Sequence, residues 1–292
     1  MILVVGATGL LGTEICRRVR ERGWPVRGLV RAGSPREAAL RELGVEIVHG
    51  DLRTPATVDA ACRGCQAVVS TATAMGSRDR SLTLRAIDHD GQLRLVESAK
   101  ANGVETFVYV SLSPALRSTA PLVRYKREVE RVVRTSGMRW TILQPTVFME
   151  VWLSSLIGWD HVTGRALIFG AGTAPLRWIS VADVAEHAVR CLDDPRLADV
   201  DLPIAGPEML SPNEVVEIFE QASGRPYRAR RIPRPLLTLF APIAGLLDEG
   251  IASGMDMGAQ STRGADVDSP LQRDLALPLT TVREYAARVL RA

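Results

Sequence analysis

The chain has 292 residues, 46% of them hydrophobic and 24% charged, enough for one large globular domain or a main domain carrying a smaller one. Its net charge of +3 is spread along the chain and gives no nucleic-acid surface. The longest apolar run, Leu236–Leu247, is interrupted by Pro242 and too short to span a bilayer; it is expected to pack internally, with pocket cover or a dimer surface as alternatives. No charged leader precedes a signal core, so a cytoplasmic protein, monomeric or homodimeric, is expected.

In chain order, "MILVV", "WPVRGLV", "VEIV", "QAVVS", "ETFVYVS" and "WTIL" are short runs, apolar on both faces, and read as buried strands. Between them lie helix-like segments at Leu10–Arg22, Pro35–Leu43, Leu82–Ala101 and Leu122–Ser136, with turn glycines at Gly23, Gly44, Gly103 and Gly137. This alternation specifies βαβ units, hence a doubly wound parallel α/β sheet of the Rossmann type. After about residue 145 the pattern loosens into short strands in "ALIFGAGTAPLRWIS", a helix at Val181–Leu192, a strand in "ADVDLPIAG" and a helix capped by Ser211 before Pro212. The expected organisation is a nucleotide-binding domain at 1–145 and a smaller substrate-covering lobe at 146–292, some of whose elements return to the main sheet. Residues 258–270 are expected to form a mobile polar loop.

"VVGATGLLG" places Gly6, Gly9 and Gly12 between a strand and a helix, where glycines permit a tight turn, close approach to a pyrophosphate and close helix packing. The helix amino terminus then directs its dipole at the phosphates. At the end of the second strand a carboxylate would bind the adenosine ribose, whereas an arginine would bind a 2′-phosphate. The chain has Arg31 there and no Asp or Glu between Trp24 and Arg36, which predicts NADP(H) over NAD(H). Asp51 and Leu52 in "HGDL" are placed to contact the adenine edge, with an aspartate cap as the alternative for Asp51. Cys62 and Cys65 lack a second ligand pair and read as packing residues, so no metal is expected. The cluster Arg228, Arg230, Arg231 and Arg234 reads as a solvated strand edge.

The motifs "GATGLLG", "LVRAGS", "GDL", "GVETFVYVSL", "KREVERVVRTSGMRWTILQPTVFME" and "WISVADVAEHAV" resemble the NmrA-like group of atypical short-chain dehydrogenases/reductases over nearly the whole chain. The resemblance implies that Gly6, Thr8, Gly9, Leu10 and Leu11 hold the pyrophosphate, that Arg31 holds the 2′-phosphate, and that Thr71, Ala72 and Thr73 line the ribose and nicotinamide. It implies that Pro145, Thr146, Val147 and Phe148 approach the carboxamide and that Lys126 reaches the nicotinamide ribose. The group commonly has arginine before that proline, where this chain has Gln144.

A tyrosine four residues before the lysine would share its helix face and be the usual proton donor; here that position is Leu122, and the adjacent Tyr125 points about 100° away. Lys126 then either acts as acid or base itself, a desolvated lysine being able to titrate toward neutrality, or only positions the cofactor. Ser111 is a candidate hydrogen-bond donor to a substrate carbonyl, or a strand end satisfying local backbone. His161 is the alternative proton donor, and Phe148, Met149, Trp152 and Trp159 suggest an apolar or aromatic substrate. The group contains both reductases and cofactor-binding regulators. The expected function is therefore an NADPH-dependent reductase of a small apolar carbonyl, enone or quinone-type acceptor, with a non-catalytic NADP(H)-binding sensor or assembly factor as the alternative.

Overall fold

A computed structural model of the chain describes residues 1–77 and 79–291; Arg78 and Ala292, which fall within the two expected domains, lie outside the described residues. The strands are β1 (Ile2–Val5), β2 (Val26–Val30), β3 (Glu46–His49), β4 (Ala67–Ser70), β5 (Thr106–Val110), β6 (Arg139–Pro145), β7 (Val147–Phe148), β8 (Arg165–Phe169), β9 (Leu176–Ile179), β10 (Val200–Ile204), β11 (Met209–Leu210) and β12 (Arg228–Ile232). The helices are α1 (Leu10–Glu21), α2 (Glu37–Glu42), α3 (Pro55–Cys62), α4 (Gly91–Ala101), α5 (Pro121–Arg134), α6 (Met149–Trp152), α7 (Val181–Arg190), α8 (Pro212–Ser223), α9 (Arg234–Gly245), α10 (Glu249–Ser261), α11 (Pro270–Asp274) and α12 (Val282–Val289).

Seven strands form one sheet in the order β10-β6-β5-β4-β1-β2-β3. The pairs from β3 through β6 are parallel, with Val4 opposite Gly28 and Val69, and Val108 opposite Thr141. The strand order reverses between β1 and β4, so the loops after these two strands open side by side. In doubly wound folds such a switch point is where a ligand enters. The central strands β1, β4 and β5 are buried on both faces, as Leu3, Val68 and Phe107 show at 0% exposure, whereas the edge strand β3, also read as apolar on both faces, has Glu46 and His49 exposed.

The chain divides into two compact units. The first comprises Met1–Ser111, Pro121–Gln144 and Val184–Leu202, and the second Leu112–Ala120, Pro145–Asp183 and Pro203–Ala292. The second unit has its own sheets, β11-β9-β7 and β12-β8, around a core of Met149, Leu153, Trp159, Ile168, Phe219 and Tyr285. Two reciprocal capping boxes start helices there. Ser211 accepts from the Glu214 N–H while the Glu214 carboxylate returns to Ser211, and Thr281 and Glu284 repeat the arrangement.

Three local expectations are corrected. The segment read as one helix from Leu82 contains a π-helical turn at Arg85–Asp90 before α4 begins. Residues 258–270 are not a single loop, because α10 runs to Ser261 with Gly258 and Ala259 buried, and Ser269 caps α11. The run Leu236–Leu247 is not packed internally: α9 buries Leu237 and exposes most of its other large apolar side chains.

Candidate functional site

The turn from β1 into α1 requires its glycines for steric reasons. Gly6 has φ +88°, and a Cβ there would lie 2.7 Å from Thr71 Oγ1 and 2.8 Å from the Ala72 nitrogen, so the turn packs directly on the chain leaving β4. A Cβ on Gly12 would collide with the Gly6 carbonyl oxygen and lie 2.7 Å from its carbon, which fixes how closely α1 approaches β1. Gly9 is the N-cap of the 12-residue α1, with no side-chain cap and no acidic residue in the first turn. Thr8 and Leu11 are half-buried and Leu10 is exposed at this end. A helix start with no Cβ over it and no competing carboxylate suits a pyrophosphate.

Arg31, just past β2, has a half-exposed side chain whose Nη1 stands 3.5 Å from Asp79 Oδ2. A second guanidinium, Arg36, donates from Nη1 to the Thr8 carbonyl at 2.9 Å, so two cations flank the turn. Arg36 was not singled out from the sequence, although it closes the acid-free stretch that begins at Trp24. Asp51 forms a tight loop with Arg53: its Oδ1 accepts from Arg53 N at 2.8 Å and Nε at 2.9 Å. Those guanidinium hydrogen bonds, with the backbone bond and the Arg53 charge, hold its carboxyl below the usual range. Leu52 is 5% exposed and supports the start of α4, where a Cβ on Gly91 would lie 2.9 Å from the Leu52 Cβ.

Lys126 is 5% exposed. Its Nζ donates to the Val110 carbonyl at 3.0 Å, lies 5.0 Å from the Tyr109 ring centre and stands 3.9 Å from Asp88 Oδ1. Burial pushes the lysine down, opposed by the charges of Asp88 and Glu130. Asp88 is fully buried, carried inward by the π-helical turn. Its Oδ2 accepts from the Ala74 N–H at 2.8 Å and Thr73 gives a side-chain hydrogen bond, while Oδ1 has no hydrogen-bond partner among the described residues. Desolvation raises its carboxyl, with Lys126 pulling the other way. Burial thus shifts the two groups in opposite directions, each toward its uncharged form, while their mutual attraction opposes both shifts.

Ser111 directly follows β5 and donates from Oγ to Glu130 Oε1 at 2.5 Å. Glu130, 3% exposed, also accepts from Gln144 Nε2 at 3.3 Å, from Arg134 at 3.2 Å and from Arg127. Gln144, in the position where arginine is common in the resembling group, thus adds a neutral donor to a carboxylate already served by two guanidiniums. Asp88 and Glu130 were both missed in the sequence. The available signal was that each is an acid on the buried stripe of its helix, Glu130 with Leu122, Lys126 and Val133 on α5.

In the second unit, Val147 and Phe148 pair with Trp178 and Ile179, and Thr146 N donates to the Ile204 carbonyl at 2.9 Å. Thr146 Oγ1 is buried without a hydrogen-bond partner among the described residues, so the segment Pro145–Phe148 holds one orphaned polar atom. Met149 and Trp159, read as part of a substrate wall, are 0% and 2% exposed and belong to the core. A cavity of about 20 Å³ beside Trp152, Trp159, Phe169 and Trp178 is too small for a substrate. His161 stacks on Phe219 at 4.9 Å, its Nε2 is 2.8 Å from the Leu153 carbonyl, and burial lowers its pKa. All four cysteines are free and buried, and burial pushes Cys62 up to about 12 and also raises Cys65, which leaves these thiols inert.

A mostly parallel doubly wound sheet, a glycine turn leading to an uncapped helix, and arginines after the second strand define a nucleotide-binding protein of the Rossmann class. The NmrA-like family model matches residues 1–286, and the chain belongs to that family. It is 32% identical to photosystem II assembly factor Ycf39 of Synechocystis sp., over 81% of this chain and 72% of the relative. It is 33% identical to the NAD(P)H azoreductase of Xenophilus azovorans, over 78% of this chain and 76% of the relative. The fold is shared with the Citrobacter sp. triphenylmethane reductase solved in complex with NADP(H), at a TM-score of 0.78 and 20% identity, covering 99% of this chain and 100% of that one. The expectation of NADP(H) agrees with what that neighbour holds. No helix among the described residues is long and apolar enough to cross a membrane.

Proposed function

We propose that the protein is an NADPH-dependent oxidoreductase that reduces a small, largely apolar carbonyl, enone or quinone-type acceptor, with Lys126 as its acid–base group. The observation that carries this reading is the buried Asp88–Lys126 pair, 3.9 Å apart, in a chain with Leu122 where a proton-donating tyrosine would stand. A lysine that only binds a hydroxyl needs its charge and its three donors, not a buried carboxylate beside it. Burying it beside a carboxylate costs several kcal/mol per ion before the attraction is counted, and such an arrangement is a recognisable device for tuning a proton.

In this reading Gly6, Thr8, Gly9, Leu10, Leu11 and Gly12 hold the pyrophosphate, and Arg31, with Arg36 beside it, holds the 2′-phosphate. Asp51 and Leu52 border the adenine, Thr71, Ala72 and Thr73 line the ribose, and Pro145, Thr146, Val147 and Phe148 approach the carboxamide. NADPH, when bound, supplies the hydride. Lys126 gives its ammonium proton to the oxygen that gains negative charge on the acceptor, and Asp88 Oδ1 balances the ammonium before transfer. Thr73 and the Ala74 N–H keep Asp88 oriented. An azoreductase among the relatives supports reductive chemistry on aromatic acceptors.

A second reading, an NADP(H)-binding sensor or assembly protein, is favoured by one observation: the Ser111 hydroxyl is engaged by Glu130 and so is not offered to a substrate carbonyl. The assembly factor among the relatives has the same leaning. NADPH titration against NADH, followed by oxidation assays with quinones, enones, aldehydes and azo dyes, separates the two. Turnover lost in Lys126→Ala with NADPH binding retained supports the reductase. Tight binding with no oxidation by any acceptor supports the sensor, and failure to bind either nucleotide refutes both.

A further inference from the structure

The second unit exposes an apolar stripe along α9. Leu236, Leu239, Phe240 and Ile243 are 47–65% exposed and recur at the three- and four-residue spacing of one helix face, and Leu246 and Leu247, in the turn that follows the helix, are 86% and 89% exposed. Only Leu237 of this segment is turned inward, at 4%. Helix α9 is tied to α10, where a Cβ on Gly245 would lie 3.4 Å from the Ala252 Cβ, and α10 adds Ile251 at 58% exposed. Scattered exposed leucines need no explanation, but a contiguous stripe along a whole helix marks an interaction surface.

Charge indicates what covers it. From Gln221 to Leu247 the chain contains Arg225, Arg228, Arg230, Arg231 and Arg234 and no Asp or Glu. Arg228, Arg230 and Arg231 lie on the exposed strand β12, which Pro233 joins directly to α9. Arg225 donates to the Val162 and His161 carbonyls, and Arg231 to the Ala171 carbonyl and Asn213 Oδ1. Arg228 and Arg230 make no side-chain hydrogen bond or ion pair among the described residues. The first acid beyond the stripe, Asp248, accepts from the Gly250 and Ile251 N–H groups at the start of α10.

We infer that this face docks on an anionic lipid bilayer surface, with the α9 stripe among the acyl chains and the β12 arginines among the headgroups. Helix α9, at 12 residues, would lie in the interface; about 20 apolar residues are needed to span it. The arginines can extend to headgroup phosphates while their stems rest on apolar surface. A second copy using the same face would set five arginines of its Gln221–Leu247 segment against the same five, with Asp248 and Glu249 at the far end of the stripe as the acids that follow, so like charge opposes that pairing. The inference does not depend on the catalytic reading.

The test is co-sedimentation of the full chain with phosphatidylcholine vesicles containing or lacking 30 mol% phosphatidylglycerol, at low and high salt. The expected result is binding to the anionic vesicles alone, weakened by salt. Leu246→Ser with Leu247→Ser is expected to weaken it at least tenfold, and Arg228→Gln with Arg230→Gln by about 30-fold. Unchanged circular dichroism and NADPH binding would show that both variants remain folded. No sedimentation with either vesicle overturns the inference, as does equal binding to both or binding unaffected by the substitutions. A dimer in analytical ultracentrifugation that the leucine changes abolish, without lipid binding, would assign the face to a second copy and equally overturn it.

Discussion

Replacing Lys126 with Met tests whether Asp88 and Lys126 form one electrostatic unit. Methionine keeps most of the lysine stem, so the change removes the ammonium with little loss of packing. Unit charges at the observed 3.9 Å attract by about 4 kcal/mol at an effective dielectric of about 20. Without the ammonium, the influence that holds Asp88 down is lost and its carboxyl, already raised by desolvation, rises further. A native carboxyl above its unfolded value binds protons more tightly than the unfolded state does. The variant's stability is therefore fullest in acid and falls as pH climbs from about 4 toward the folded value. Measured at about pH 5 and about pH 8, its deficit against the parent protein should be larger at the higher pH, by at most about 4 kcal/mol, on the order of 10 °C in Tm. Thermal unfolding followed by circular dichroism at both pH values reads this directly. Equal deficits at both would refute the coupling, and undiminished NADPH oxidation would remove Lys126 from the chemistry.

Further predictions address other parts of the chain. Arg31→Ala should weaken NADPH binding at least tenfold while leaving NADH nearly unchanged in fluorescence titration, since it removes a charge-assisted phosphate contact. Gly12→Ala places a methyl against the Gly6 carbonyl and should cost about 1–3 kcal/mol, read as a lower Tm together with weaker nucleotide binding. Burial lowers the His161 pKa, so the unfolded state protonates first as pH falls below about 6.5 and stability drops there. His161→Leu should flatten that part of the pH–Tm curve, and an unchanged slope would show that the ring does not report on folding.

The parallel sheet was legible because its central strands are apolar on both faces and are separated by helix-period segments ending in glycine. The glycine turn was legible in part: the contact of Gly12 with the Gly6 carbonyl closes within one βα unit, whereas the packing of Gly6 on Thr71 and Ala72 comes from the chain after β4. What escaped is non-local. Asp88 reaches Lys126 only because a π-helical turn interrupts the expected helix, and helical periodicity contains no sign of that change of pitch beyond an acid on an apolar stripe. Glu130 stood on the same stripe as Lys126, yet its partners come from the residue after β5, from β6 and from its own helix. The α9 run looked like core because apolar composition does not distinguish a buried face from an exposed one, whereas the Ser211 cap was readable since its hydrogen bond closes within four residues, to a Glu214 that was not singled out from the sequence.

The first unit is discontinuous in sequence: residues 184–202 belong with the first 111, and β10, at one edge of the seven-stranded sheet, is its last strand in the chain. During synthesis the sheet cannot be completed until β10, which ends at Ile204, has emerged from the ribosome. By then the strands that build β7, β8 and β9 have already emerged. A fragment ending near residue 145 would leave β6 as an unpaired edge, open to strand addition by another chain. The nucleotide-binding half therefore depends for its own closure on a segment made after part of the other half, and the chain is one folding commitment despite having two units.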